Sequence, residues 1–220
     1  MNIADNIRQL RQQLPEGVEL VAVSKFHPVE DILEAYGAGQ RSFGESRVQE
    51  LLEKLPAVPQ DIDWHFIGHL QTNKVKQLVG NVSIIESVDS ERLLELIDKL
   101  SAEKGVESRV LLQVHIAQED SKFGFTPQEL SDFFEQEKHK SLRATHICGL
   151  MGMATNTDDE AQIKADFAQI SQLFKQIACK FANPDVFNIL SIGMSDDYPL
   201  AIAAGSTSVR IGTAIFGQRL

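Results

Sequence analysis

With 220 residues, 43% of them hydrophobic, the chain is long enough for one domain with a sizeable core, and its 31 acidic side chains against 21 Lys and Arg leave a net charge of −10. That charge argues against a surface built to neutralise a nucleic-acid backbone or an anionic membrane, and no partner of either kind is expected. Two cysteines without metal-type spacing, an amphipathic first segment and no run near the roughly 20 apolar residues that span a bilayer argue against a disulfide framework, a leader and a membrane anchor; a reducing, cytoplasmic compartment is expected.

Ile3, Ile7, Leu10 and Leu14 recur at helical spacing and predict a first helix over 3–14. Val18, Leu20, Val21, Ala22 and Val23 form an apolar, β-branched run, a buried strand that leaves through Ser24 into Lys25-Phe-His-Pro28. Pro28 suits the first position of the next helix, whose stripe is Ile32, Leu33 and Tyr36 and whose stop is Gly37 or Gly39. A very short strand at 41–44 precedes a helix from Glu45 to Leu55, halted by Pro56 and Pro59. Next come a strand at 64–68, a helix at 71–79 and a strand at 82–86. Asp89 or Ser90 caps a strong helix closed by Gly105, and 109–116 is a long strand. Thr126-Pro-Gln-Glu129 is a capping box, followed after its helix by a strand at 142–149. Thr157-Asp-Asp-Glu160 reads as a second capping box, ahead of an amphipathic helix carrying Ile163, Phe167, Ile170, Phe174 and Ile177. A strand at 187–190, a helix at 195–204 and a strand at 208–211 complete the chain.

Eight strands in strict alternation with helices, with no composition break, predict an α/β fold: one (β/α)₈ TIM barrel over 1–220, with an open doubly wound sheet as the alternative. In such a barrel the functional residues lie at the C-terminal ends of the strands, which is where Lys25 stands. Desolvation lowers a lysine pKa and frees the amine to attack carbonyls, so Lys25 reads as an imine-forming residue. At the other end of the chain, Ser191, Gly193 and Ser195 follow the seventh strand, and Gly212 and Thr213 follow the eighth. Small residues that let the backbone approach, with hydroxyls that donate, suit a phosphate at those two loops. Asp196 and Asp197 oppose a phosphate unless they point away. Arg210 suits a phosphate, a carboxylate or a ring nitrogen, or an ion pair to one of the many acids. Met151 and Met153 could wall an aromatic ligand as well as fill a core. His65 and His69, four apart on a strand, lie too far apart to share zinc. Glu45 reads as a helix-start acid favoured by the dipole. These residues fit a sugar-phosphate aldolase and a pyridoxal 5′-phosphate protein equally.

The motifs Val21-Ala-Val-Ser-Lys25, Phe43-Gly-Glu45, 64–74, 149–154, Leu190-Ser-Ile-Gly-Met-Ser195 and 205–217 resemble the pyridoxal phosphate homeostasis protein family, from the first strand to the last. The resemblance implies a barrel like the N-terminal domain of alanine racemase. It implies pyridoxal 5′-phosphate held as a Schiff base on Lys25, with Ser191, Met194, Ser195, Gly212 and Thr213 around the phosphate and Arg210 facing the pyridine nitrogen. It further implies a monomer that keeps the cofactor in balance and passes it to apo-enzymes, with no established turnover. The fold-related racemases take a second acid–base group from an added domain and a partner subunit. Here seven residues follow Thr213, so a weak amino-acid racemase is the alternative rather than the expectation. Ser46-Arg47 departs from the family pattern after the second strand.

Overall fold

The chain is described by a computed structural model over residues 2–118, 123–181 and 183–218. Eight parallel strands follow one another around a closed barrel: β1 (Glu19–Val23), β2 (Ser42–Glu45), β3 (Asp63–Phe66), β4 (Ile84–Val88), β5 (Ser108–Val114), β6 (Thr145–Gly152), β7 (Ile189–Ser191) and β8 (Ser208–Ile211). Closure is the β1–β8 ladder, with Leu20 opposite Val209 and Ala22 opposite Ile211, which excludes the open sheet. Helix α1 (Ile3–Gln13) precedes the barrel. Helices α2 (Val29–Gly37), α3 (Val48–Lys54), α4 (Val75–Leu78), α5 (Glu91–Lys104), α6 (Pro127–Glu135), α7 (Glu160–Lys180) and α8 (Tyr198–Ala203) fill the crossovers, and α9 (Thr213–Phe216) follows β8.

Strand side chains alternate between two environments. Outward-facing Leu20, Ala22, Phe43, Trp64, Phe66, Leu112 and Val209 pack against the helices in the main core. Ile84, Leu111, Cys148 and Met151 form a small separate cluster inside the barrel. The β5–β6 register slips by one residue between Val110↔Ile147 and Leu111↔Gly149, with Gly149 at φ +154°. This bulge lets Cys148 and Met151, three apart, share the interior, where an unbroken strand would place them on opposite faces.

Several element starts differ from the expectation. Pro28 is the N-cap of α2 rather than its first residue, and Leu33 is exposed while Ile32 and Ala35 face the core. Glu45 ends β2 and is fully buried; α3 begins only at Val48. The cap of α7 is Asp159, which accepts from the Ala161 N–H, so 157–160 is not a capping box. Helix α8 starts at Tyr198 because Pro199, lacking an N–H, belongs in a first turn; Ser195 therefore caps nothing. The Thr126–Glu129 capping box is formed as expected.

Candidate functional site

β1 delivers a half-buried Lys25 to the C-terminal rim of the barrel, and the backbone on both sides of it is pinned. Ser24 is fully buried; its N–H donates to Gly44 O and its hydroxyl to Glu45 Oε1 at 2.7 Å. Phe26 takes a left-handed φ of +68°, an uncommon state for a bulky residue. One buried cation holds both flanks. Lys54 Nζ donates to Ser24 O at 2.9 Å and to Glu45 Oε1 and Glu50 Oε1 at 2.7 Å, while Glu50 accepts the Phe26 N–H. The Arg47 guanidinium lies 4.5 Å over the Phe26 ring and so also packs on the Lys25 turn. Burial pushes the Glu45 carboxyl up, against the Lys54 and Ser24 hydrogen bonds that favour its charge. His27, two residues beyond Lys25, stacks on Phe216 of α9 at 4.7 Å.

The β7 and β8 turns form the adjoining wall, β8 being paired with β1. Gly212 is drawn so close to β1 that a Cβ there would come within 3.2 Å of Val23 O. Thr213 follows as the first residue of α9, where backbone N–H groups have no intrahelical acceptor. On the β7 side, Asp197 turns back to accept the Met194 N–H, and burial raises its carboxyl despite that bond and the nearby Arg210. Asp197 is thus folded into its own turn, while Asp196 remains on the cavity wall.

Arg210 rises from β8 with 4% exposure. Its Nη1 donates to the Ser191 carbonyl and hydroxyl, its Nη2 to Gly152 O at 2.9 Å. The Ser191 hydroxyl donates in turn to Glu86 Oε2 at 2.6 Å, and Glu86 Oε1 lies 2.6 Å from His65 Nδ1. An ionised carboxylate only accepts, so Nδ1 carries the proton. Burial works against charge on all three groups. For His65, the hydrogen bond and field of Glu86, helped by Glu19 and Asp63, outweigh it, and its pKa is raised. For Glu86, His65, Arg210 and Ser191 outweigh it, and its carboxyl is held low. For Arg210 burial wins, lowering its pKa against Glu86 and Asp197.

These elements enclose a cavity of about 210 Å³ whose wall includes Lys25, Met194, Ser195, Arg210, Gly212 and Thr213, six of the seven expected site residues. Val23, Ile67, Met151 and Met153 supply its apolar sides. Ser191 is not on that wall; it lies buried beneath, between Arg210 and Glu86. His69 is exposed, 3.1 Å from Asp89, and no group of three or more metal-type ligands occurs among the described residues. Sequence reasoning missed Lys54, Glu50 and Glu86. Only Glu86 left a signal, an acid inside the apolar run Ile84-Ile-Glu-Ser-Val88, where a partnerless charge would be costly.

The donor set fits a phosphorylated aromatic aldehyde. Lys25 offers an amine for the carbonyl, Ser195, Thr213 and the turn N–H groups suit a phosphate, the methionines suit a ring, and Arg210 suits a ring acceptor.

The family model for the alanine racemase N-terminal domain matches residues 1–220. The pyridoxal phosphate homeostasis protein of Pasteurella multocida is 40% identical over 235 residues, covering 100% of this chain and 98% of its own. That of Schizosaccharomyces pombe is 40% identical over 220 residues, covering 98% and 91%. The solved structure of PipY from Synechococcus elongatus with PLP bound superposes with a TM-score of 0.89 at 40% identity, covering 98% of this chain and 100% of that one. A Clostridium difficile alanine racemase, 16% identical with a TM-score of 0.77, covers 99% of this chain but only 57% of the racemase, and shares the fold. The chain therefore belongs to the pyridoxal phosphate homeostasis protein family, built on the alanine racemase N-terminal barrel.

Proposed function

We propose that this chain binds pyridoxal 5′-phosphate and serves its storage and delivery inside the cell, with Lys25 as the covalent anchor through a Schiff base. The observation that carries this reading is a single cavity gathering an amine from β1, hydroxyls from the β7 and β8 turns and a buried guanidinium. PipY, 40% identical and solved with PLP bound, supports the same ligand. When bound, the cofactor supplies an aldehyde that condenses with an amine, losing water, and an electron-withdrawing ring. Ser195, Gly212 and Thr213 would hold the phosphate, with Met194 beside it. Arg210 would face the ring nitrogen, where a cation disfavours its protonation, and Ser191 would act through Arg210. The Lys54–Glu45–Glu50 cluster would hold the Lys25 amine in register with these groups.

The whole barrel, 1–220, is proposed as one binding unit, a cytoplasmic monomer that yields its cofactor to apo-enzymes. No turnover is assigned. The two tyrosines are engaged away from the cavity, Tyr36 with Asp61 and Tyr198 with Gln13. Among the described residues no helix is long and apolar enough to cross a membrane. The test is the absorbance spectrum of the protein incubated with pyridoxal 5′-phosphate, then borohydride reduction and peptide mass mapping. A reduced adduct on Lys25, absent in Lys25→Ala, is expected; no reducible adduct would refute the reading and leave the aldolase in its place. Incubation with a panel of amino acids probes the other alternative. Sustained racemisation, lost in Lys25→Ala, would replace the carrier with a racemase.

A further inference from the structure

The barrel interior carries a chain of polar groups that runs from the cavity to the opposite end of the barrel. Arg210 meets Ser191, Ser191 meets Glu86, and Glu86 meets His65. His65 Nε2 then stands 3.9 Å from Glu19 Oε1, on a side chain 41% exposed at the start of β1. Glu86 Oε2 is also 3.6 Å from Arg210 Nη1. A buried charge is tolerated when it is paired, and one cation would suffice for Glu86. Two basic groups stand against it, the Arg210 guanidinium and the His65 ring, which is a cation when protonated, one on each carboxylate oxygen, and only Arg210 reaches the cavity.

We propose that Glu86 and His65 are positioning residues for Arg210: Glu86 fixes the guanidinium beneath the cavity, and His65, bonded as a cation to the same carboxylate, offsets its negative charge so that the guanidinium presents more of its own positive charge to the ligand ring. The inference rests on the cofactor reading above. Its consequence is selectivity, because a ring nitrogen that accepts a hydrogen bond is favoured and a ring carrying a fixed positive charge is rejected. The groups facing His65 are Glu86 from β4, Glu19 from β1 and Asp63 from its own strand, with Arg210 from β8 behind Glu86. The three carboxylates favour its cationic form, in keeping with its raised pKa.

The experiment has two arms. In the ligand-free protein, an NMR titration of the imidazole nitrogens is expected to find His65 protonated through neutral pH; a neutral ring there would overturn the inference. In the second arm, equilibrium dialysis compares pyridoxal 5′-phosphate with its ring-N-methylated analogue, a fixed cation, in the wild type and in His65→Gln. Glutamine keeps a donor for Glu86 but carries no charge, and His65→Asn serves if that variant fails to fold. The wild type is expected to prefer the unmethylated ligand, and His65→Gln to narrow that preference roughly tenfold, the order expected for one unit charge acting over a short buried path. Equal preference ratios in the two proteins would overturn this inference alone. A wild type that takes up neither ligand would overturn the cofactor reading and this inference with it.

Discussion

A lysine side chain that is 7% exposed must either lose its proton or be surrounded by acceptors, and Lys54 is surrounded, by Ser24 O, Glu45 and Glu50. Removing the cation leaves Glu45, fully buried, without its counter-charge. Lys54→Met is therefore expected to cost about 3–5 kcal/mol, the range for breaking a buried pair from one side. The sign of its pH dependence follows from Glu45. Burial already raises that carboxyl, and the variant raises it further, so protonation relieves the unpaired charge as pH falls. Urea unfolding should show a smaller loss in mildly acidic than in mildly alkaline buffer, and equal losses would mean that Glu45 does not carry the cost. The same variant should slow formation of the reducible adduct proposed at Lys25, because Ser24 O loses its tie. Lys25 itself was legible in the sequence, as a β-branched run ending on a lysine. Lys54 was not. Four residues after Glu50 on a helix it reads as a surface ion pair, and its contact with Ser24 crosses 30 residues that no local pattern connects.

Among the elements, β6 shows why alternation alone misplaces side chains. The strand was legible as a strand, but a strict two-residue period puts Cys148 and Met151 on opposite faces, whereas the bulge brings both inside. Gly149 makes this possible. Its φ is +154°, and a Cβ there would stand 1.8 Å from Ile189 O, on the backbone of β7. Gly149→Ala is expected to destabilise the barrel by more than about 3 kcal/mol, since a strand backbone must move to admit a methyl group. It should also change the proposed cofactor site, because β7 leads into the Ser195 turn. Thermal unfolding and adduct yield measure the two effects; an alanine variant as stable as the wild type would show that the bulge is not fixed by this residue. The misread helix starts have a related cause. Glu45 and Ser195 are the residue types that open helices, but at the rim of a barrel the turn between strand and helix lengthens to bring side chains to the cavity, and sequence alone cannot say how many residues the turn keeps.

Closing eight parallel strands creates an interior that side chains must fill, and the alternation of elements made the closed barrel legible without any contact being known. What fills the barrel was less legible: Ser191 and Arg210 read as site residues, but Glu86 and His65 come from two other strands and nothing in the sequence joins the four. Together they make the stability of the whole barrel pH-dependent on two sides. His65 has a raised folded pKa, so its contribution is complete below its unfolded value of about 6.5 and is lost as pH rises through the folded one. Glu86 has a lowered folded pKa, so its contribution is complete above its unfolded value of about 4.3 and is lost as pH falls through the folded one. Glu45 acts in the opposite sense to Glu86, its raised carboxyl favouring the fold toward acid, but it is common to any variant that leaves it alone. The difference between the wild type and His65→Gln therefore cancels Glu45 and leaves the imidazole together with Glu86, whose carboxyl loses the partner that holds it low. Urea midpoints taken through neutral into alkaline pH should decline more steeply in the wild type than in His65→Gln, so that the two curves converge as pH rises. Parallel curves would mean that the imidazole is neutral throughout, and the positive charge beneath the cavity would then belong to Arg210 alone.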